Sequence, residues 1–564
     1  MTEVSATAGA RAAIAQLVRA GVSTFILCPG SRSAPLAWAL VDAEAAGVVT
    51  LHVEVDERVA GFVALGVGKA GKLAAVVTTS GSAVANLHPA LEEAKNSGVP
   101  ILVVSADRPH ELRGVRASQT TDHLAVLAGS VLTTVDVPAG TATRAADGLL
   151  RRAVRAATRG RGPVHVNLGF REPLVPDAPW GSVVADCAAT ESAPTQKRTV
   201  IVSGPTSRAE ALDVDIAAGI PVLSEPSGEL RGVPSAVTAH PILLETALRS
   251  EIERVVVFGH PTLTRQVASL LADPDVEVLA VDGPAGYTDV SGNARVVDLG
   301  EVGPWLTADA DWLARWKAAS DAAALEISER LDGEERLTFP AIGRILGAAT
   351  IPHCGTGYMQ AIRDAEESGE PVRGNDLRVQ HTPHVRTVLG ASSTIREVNL
   401  FATCPSAPLE ANRGLAGIDG TVSTGIGIAL ASGEPVRVVL GDLAFIHDLG
   451  ALVATQGQES VPVDVVVIDD HGGSLFAMLE HGEQDPTGFD RAFRTAKRLD
   501  VEAFAKSVGV DYLRISSPGE LWTLGYPERP RIVHADLGWS APAELRAARA
   551  ELLSAIREAA EKAL

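Results

Sequence analysis

The stretch Val436 to Phe476, VRVVLGDLAFIHDLGALVATQGQESVPVDVVVIDDHGGSLF, decides the fold class. Two short β-branched runs, Val436 to Leu440 and Val463 to Ile468, are bounded by turn residues, which predicts strands buried in a parallel sheet. An amphipathic helix is expected between them. The separation of Asp442 from Asp470 is close to the roughly 30 residues of one strand-helix-strand crossover. Both carboxylates are therefore expected at the carboxyl edge of neighbouring strands, where open α/β sheets bind ligands. Facing carboxylates repel unless a cation lies between them. Oxygen ligands beside glycines suit magnesium, which usually holds a phosphate as well, so a diphosphate cofactor is expected. Gly472 and Gly473 let the backbone approach closely, offering a carbonyl to the metal and amides to phosphate.

The whole chain agrees with such a fold. Its 564 residues allow about three or four domains. With 46% apolar and 21% charged residues, a sizeable core is expected and disorder is not. No window approaches the roughly 18 uninterrupted apolar residues of a membrane helix. The first residues, MTEVSATAGARAAIAQ, lack a basic region followed by an apolar stretch, so a cytoplasmic protein is expected. Cys28, Cys187, Cys354 and Cys404 are scattered without metal-binding spacing, as in a reducing compartment. A net charge of −20 argues against a nucleic-acid partner. If the substrates are anions, arginines must gather in the pocket against the sign of the whole molecule.

Residues 1 to about 175 alternate strand and helix, the signature of a parallel sheet covered on both faces. Strands are expected at Thr24 to Cys28, Val48 to Val53, Ala74 to Thr78 and Pro100 to Ser105. They open into Pro29-Gly30-Ser31-Arg32-Ser33, Asp56-Glu57-Arg58, Thr79-Ser80-Gly81-Ser82 and Ala106-Asp107-Arg108-Pro109, polar turns that converge on one edge. One helix is expected from Ser82 through Asn86 and Glu92. Gly162 to Pro173 reads as a last strand, and Pro173 to Gln196, without clear period, as an interdomain linker. A second α/β unit starts at Thr199, with strands near Val255 to Gly259 and Val276 to Val281, and ends in a helix-rich segment around Trp312 to Leu331. The third unit runs from Leu337 to Leu564 and closes with a helical tail. Three doubly wound parallel-sheet domains are expected, at residues 1–175, 199–335 and 336–564, with a linker at 176–198.

Gly441-Asp442, followed after a crossover by Asp469-Asp470-His471-Gly472-Gly473, resembles the metal and diphosphate motif of thiamine diphosphate (ThDP) enzymes. That motif usually opens Gly-Asp-Gly and closes on paired asparagines. Here Leu443 replaces the third glycine and Asp469-Asp470 stand at the asparagines. The Gly-Asp-Leu variant is similar to the menaquinone-pathway branch of the family. The resemblance covers essentially the full length, most strongly the two outer thirds, and implies pyrimidine-binding, middle and diphosphate-binding domains. It also implies a homodimer or homotetramer, with the first domain of one subunit facing the third domain of another.

Residue roles follow from the resemblance. Asp442, Asp470 and the Gly472 carbonyl would hold Mg2+ or Mn2+, Asp469 remaining a rival to Asp470. Glu57 would hydrogen-bond the aminopyrimidine ring. Acidic residues are favoured in a first helical turn anyway, and strand alternation does not separate Glu57 from Asp56; only the motif's register does. Gly417, Ile418, Asp419, Gly441, Leu443, Ala444, Gly472, Gly473 and Phe476 would surround the cofactor. Leu479 is a further candidate for the apolar wall, and ordinary core packing would explain it and Phe476 as well. His447 and His471 are read as hydrogen-bonding residues near the phosphates.

Arg32, Arg108, Arg396 and Arg413, with Ser31, Gln119 and Ser392, are similar to positions that bind substrate carboxylates. Arginine suits that task because its planar fork clamps a carboxylate with two parallel hydrogen bonds. Arg265 resembles a basic position of the middle domain, where the branch can show two adjacent basic residues; here Gln266 follows. The reaction implied is decarboxylation of 2-oxoglutarate and addition of the resulting carbanion to isochorismate. A different ThDP carboligase, such as an acetohydroxyacid synthase, and a noncatalytic nucleotide-binding α/β protein are the alternatives.

Overall fold

The computed structural model describes residues 4–188, 194–205, 219–283, 286–348, 385–403, 409–453, 461–525 and 527–564. Cys354 and Cys404 lie outside them, and Cys28 and Cys187 are buried free thiols. Three parallel sheets organise the chain. By internal contacts it forms two compact units, residues 1–193 with 289–294, and residues 194–288 with 295–564.

The first unit holds β1 (Thr24–Leu27), β2 (Thr50–Val53), β3 (Ala74–Thr78), β4 (Ile101–Asp107), β5 (Thr134–Val137) and β6 (Pro163–Gly169). Their order is β2-β1-β3-β4-β6-β5, all parallel. Strand alternation splits the side chains between two cores. Phe25, Leu27, Ala75, Val77, Leu102 and Val104 pack on one face, and Ile26, Ala74, Val76, Ile101 and Val103 on the other. Burial on both faces explains why these strands read as unbroken apolar runs.

Two expectations here need correcting. The single helix through Asn86 is two, Ser82–Ala85 and His88–Ser97. Pro89, which has no N–H to donate, sits in the first turn of the second, where none is needed. The stretch read as a featureless linker carries the helix Val183–Cys187, with Trp180, Val183 and Cys187 in the core. These three recur at helical spacing, and the Trp180 amide donates to Asp42 Oδ2 at 2.7 Å. Neither β5 nor the following helix Thr143–Gly160 was expected.

In the second unit β7 (Thr199–Ser203), β8 (Val222–Ser224), β9 (Arg254–Phe258), β10 (Glu277–Asp282) and β11 (Arg295–Asp298) form a sheet ordered β11-β10-β9-β7-β8. A further sheet contains β12 (Arg386–Leu389), β13 (Glu410–Ala411), β14 (Val436–Gly441), β15 (Val463–Asp469), β16 (Asp511–Ile515) and β17 (Arg531–Asp536), ordered β13-β12-β14-β15-β17-β16. That order repeats the topology of the first sheet strand for strand. The helix Ala310–Leu331 packs on the tail helix Pro542–Lys562, so the boundary expected near residue 335 falls inside one compact unit.

The central register is set by charge as well as by apolar packing. Arg437, Asp464 and Arg531 are direct cross-strand partners on β14, β15 and β17. Asp464 is fully buried and accepts from Arg437 at 3.2 Å and from Arg531 at 2.8 and 3.0 Å. Removing it leaves two guanidiniums without their carboxylate, beside backbone carbonyls. Asp464→Ala is expected to cost about 3–5 kcal/mol of unfolding free energy, the usual loss when one partner of a buried pair is deleted. Denaturant unfolding measures this, and an unchanged midpoint would contradict the role.

Candidate active site

Strands β14 and β15 are adjacent and parallel, with Gly441 opposite Ile468, so the segments that follow both emerge at the same sheet edge. Asp442 opens the short helix Asp442–His447 and accepts from its neighbour's amide, Leu443 N, at 2.7 Å. The expected crossover helix is thus short; the turn Leu449–Leu452 follows it, and residues 454–460 lie outside the described ones. Asp470 follows the last residue of β15 and accepts from the Ser474 hydroxyl. Asp442 and Asp470 are only 6% and 7% exposed and interact directly. Burial pushes both carboxyls above their ordinary range, with repulsion from Asp470 and Asp469 adding to the rise at Asp442 and repulsion from Asp469 to that at Asp470.

Asp469 behaves differently. Burial alone would raise it, but hydrogen bonds from His534 Nε2 at 3.1 Å and the His471 amide at 3.0 Å bring it below the usual carboxylate value. His471 is also tied to Asp536 at 3.0 Å. The chain then turns through His471 and Gly472, at φ of 58° and 134°. A Cβ on Gly472 would lie 2.5 Å from the Arg494 carbonyl oxygen, so only glycine fits. Phe476 joins Phe493 and His481 in an aromatic cluster, with ring centroids 5.8 and 6.5 Å away. Gly417, Ile418 and Asp419 lie on an exposed loop before the helix Thr421–Ser432, and His447 approaches Asp419 at 3.7 Å.

The arginines form two groups, one in each unit. In the second, Arg413 is 3% exposed, reaches Thr262 Oγ1 at 3.1 Å and leaves Nε without a partner. Arg396 donates to the Ser392 carbonyl at 2.9 Å. Burial lowers the pKa of both, and Arg413 lowers Arg396 further, so the two cations are close. Arg265 does not join them: it is exposed and paired with Glu480 at 2.7 Å.

In the first unit, Arg108 Nη1 donates to Ser80 Oγ and to the Gln119 carbonyl, both at 2.6 Å. Gln119 Nε2 closes the loop onto the Ser80 carbonyl at 3.1 Å. Arg32 donates to the Phe170 carbonyl at 2.9 Å, and burial followed by the nearby Arg108 lowers its pKa. Ser31 is exposed on the same turn.

Asp56 and Glu57 differ in their partners. Asp56 caps the helix Glu57–Lys69, accepting from Arg58 N at 2.9 Å and Val59 N at 3.4 Å. Glu57 is left to take a hydrogen bond from Asn86 Nδ2 at 2.9 Å.

Sequence reading missed the supports of these groups. His123, buried, accepts from Gly81 N at 3.2 Å and meets Asn167 Oδ1 at 2.9 Å, while Asn167 Nδ2 donates to Asp107 and Asp136. This network holds both turns that carry Ser80 and Arg108. Glu225 escaped notice too, although it lies in a polar turn at the end of a strand.

Residues 7–126 match the family described as thiamine pyrophosphate enzyme, N-terminal TPP binding domain, and residues 399–523 match its C-terminal TPP binding domain. The chain is 41% identical to a protein of Kineococcus radiotolerans named 2-succinyl-5-enolpyruvyl-6-hydroxy-3-cyclohexene-1-carboxylate synthase, over 91% of this chain and 92% of that one. Equally named proteins of Leifsonia xyli subsp. xyli and a Nocardioides species are 40% and 39% identical, each over 92% of this chain and over 93% and 92% of theirs. The chain belongs to this family of synthases.

It is a thiamine diphosphate-dependent enzyme, as the family requires, and the donor set fits the cofactor and its divalent ion. Two adjacent buried carboxyls, both raised by burial, suit a cation between them, and the Gly472 turn is a cradle that any side chain would fill. Among the described residues no group of three or more His, Cys, Asp or Glu side chains is arranged to hold a metal ion. An ion there would complete its shell with backbone carbonyl, diphosphate and water.

Raised folded-state pKa values imply that this pair's stability contribution is full in acid and lost as pH climbs through the folded values. Metal-free protein should therefore lose stability between about pH 4 and about pH 8. Asp442→Asn should raise the metal-free thermal midpoint at the alkaline end by relieving the repulsion. An unchanged or lower midpoint would contradict it.

Proposed function

We propose that the chain decarboxylates 2-oxoglutarate and adds the resulting carbanion to isochorismate, giving 2-succinyl-5-enolpyruvyl-6-hydroxy-3-cyclohexene-1-carboxylate and carbon dioxide in menaquinone biosynthesis. The observation that carries this reading is the concentration of arginines at strand ends in a protein of net charge −20. Buried or half-buried guanidiniums with unpartnered N–H groups, Arg32 Nε and Arg413 Nε among them, suit dicarboxylate substrates.

When bound, ThDP supplies the carbanion chemistry. The protein's part is to hold and orient. Asp442, Asp470 and the Gly472 carbonyl would bind Mg2+ or Mn2+. Asp470 is favoured over Asp469 because Asp469 is already engaged by His534 and His471. Glu57, steadied by Asn86, would hold a proton against the aminopyrimidine ring, with Gly417, Ile418, Asp419, Gly441, Leu443, Ala444, Gly473 and Phe476 around the cofactor. Ser31, Arg32, Arg108, Gln119, Ser392, Arg396 and Arg413 would orient carboxylates. Arg265 could join them only by leaving Glu480.

The proposed domains are pyrimidine-binding (1–175), middle (199–335) and diphosphate-binding (336–564). We infer a homodimer or homotetramer with shared active sites, acting in the cytoplasm. Exposed apolar side chains beside the proposed catalytic groups support self-association: Val53, Val55 and Phe62 near Glu57, and Leu415, Ile418 and Leu430 around the glycine-rich loop. No helix of the described residues is long and apolar enough to cross a membrane.

Purified protein with ThDP and magnesium should release carbon dioxide from 2-oxoglutarate in preference to pyruvate. Glu57→Gln should keep the thermal stabilisation given by ThDP and magnesium while lowering carbon dioxide release by about 100-fold or more, the usual scale for a positioned acid-base group. Retained turnover in the variant, or a preference for pyruvate, would overturn the reading.

A further inference from the structure

Glu225 lies in the turn that follows β8, is 1% exposed, and sits among groups far from it in sequence. Its Oε1 accepts from the Leu263 amide at 2.6 Å, and the Thr262 amide also donates to the carboxyl. Oε2 has no partner. The cations facing it are Arg413 and Arg396. Thr262 joins both sides, because its hydroxyl accepts from Arg413 Nη2 at 3.1 Å. The turn is anchored again where Leu409 N donates to the Pro226 carbonyl at 2.8 Å, one residue before the strand β13 that leads to Arg413.

The arrangement has a definite charge. Buried Arg413 and half-buried Arg396 bring two positive charges, and an ionised Glu225 removes one, while the nearby Glu397 is neutralised by Arg549 at 2.6 Å. The remainder matches one carboxylate. A buried carboxyl with one oxygen unpaired is costly, and packing alone is better served by an apolar or amide side chain. Burial lifts Glu225 to about 7 even against these arginines.

We propose that Glu225 is a positioning residue of the carboxylate site, holding the Thr262–Leu263 turn under Arg413 and reducing the charge of the Arg396–Arg413 pair to that of a single-carboxylate receptor. This rests on the proposed reaction only in taking that pair as a substrate site. An ionised Glu225 weakens anion binding enough for anionic product to leave; without it the pair grips harder.

The test uses full-length protein loaded with ThDP and magnesium, and succinate as an unreactive dicarboxylate probe. Glu225→Gln keeps an acceptor for Leu263 and loses the charge; Glu225→Asp keeps the charge. At about pH 8 the Gln variant should bind succinate about threefold or more tighter than wild type, with a lower KM for one substrate and a lower kcat. The Asp variant should lie near wild type. If Gln and Asp variants behave alike, or if wild type binds no succinate, the inference is wrong.

Should neither variant fold, wild type decides: succinate should bind more tightly as pH falls from about 8 to about 6.5 and Glu225 takes up its proton, and a flat profile would overturn the role. Wild type that binds succinate in this pattern yet fails to join 2-oxoglutarate to isochorismate would remove the proposed reaction and keep the anion site.

Discussion

Two carboxyl groups that repel each other, Asp442 and Asp470, are held together in a place with almost no water. Such a contact is costly in isolation, and a divalent ion between the carboxyls, as proposed, would relieve it. The fold provides the contact by pairing β14 with β15 in parallel, so that both strands deliver a carboxyl to the same edge. Ion pairs around Asp464, further down the same strands, keep that register from slipping.

The same strand order recurs in the first sheet. In the first sheet the turns after β1, β2, β3 and β4 carry Arg32, Glu57, Ser80 and Arg108. A cap at Asp56 frees Glu57 from helix duty, and the buried His123–Asn167–Asp107 network fixes the turns behind Arg108. An acidic molecule thereby keeps its guanidiniums at strand ends, where the family's anionic substrates are expected.

Much of this was legible in the sequence because parallel strands buried on both faces leave an unmistakable record. Short β-branched runs with polar turns gave β1, β3, β9, β14 and β15 within one or two residues, and the Gly-Asp turn pointed to the edge that matters. Local signals failed where meaning depends on distant partners. Trp180, Val183 and Cys187 look like part of a linker until the core they fill is present. Glu225 gains significance only from Arg413 and Arg396, which arrive well over a hundred residues later, and the exposed Arg265–Glu480 pair likewise joins residues far apart in sequence. The different environments of Asp469 and Asp470 depend on His534, far along the chain, whose hydrogen bond engages Asp469.

A crystal structure of the protein grown with ThDP and magnesium tests the central claim most directly. The account predicts one ion bound by Asp442, Asp470 and the Gly472 carbonyl, with Asp469 still bonded to His534, and Glu57 from another copy of the chain against the pyrimidine ring. An ion held by Asp469 in place of Asp470, or saturating cofactor with the β14 and β15 turns vacant, would contradict it.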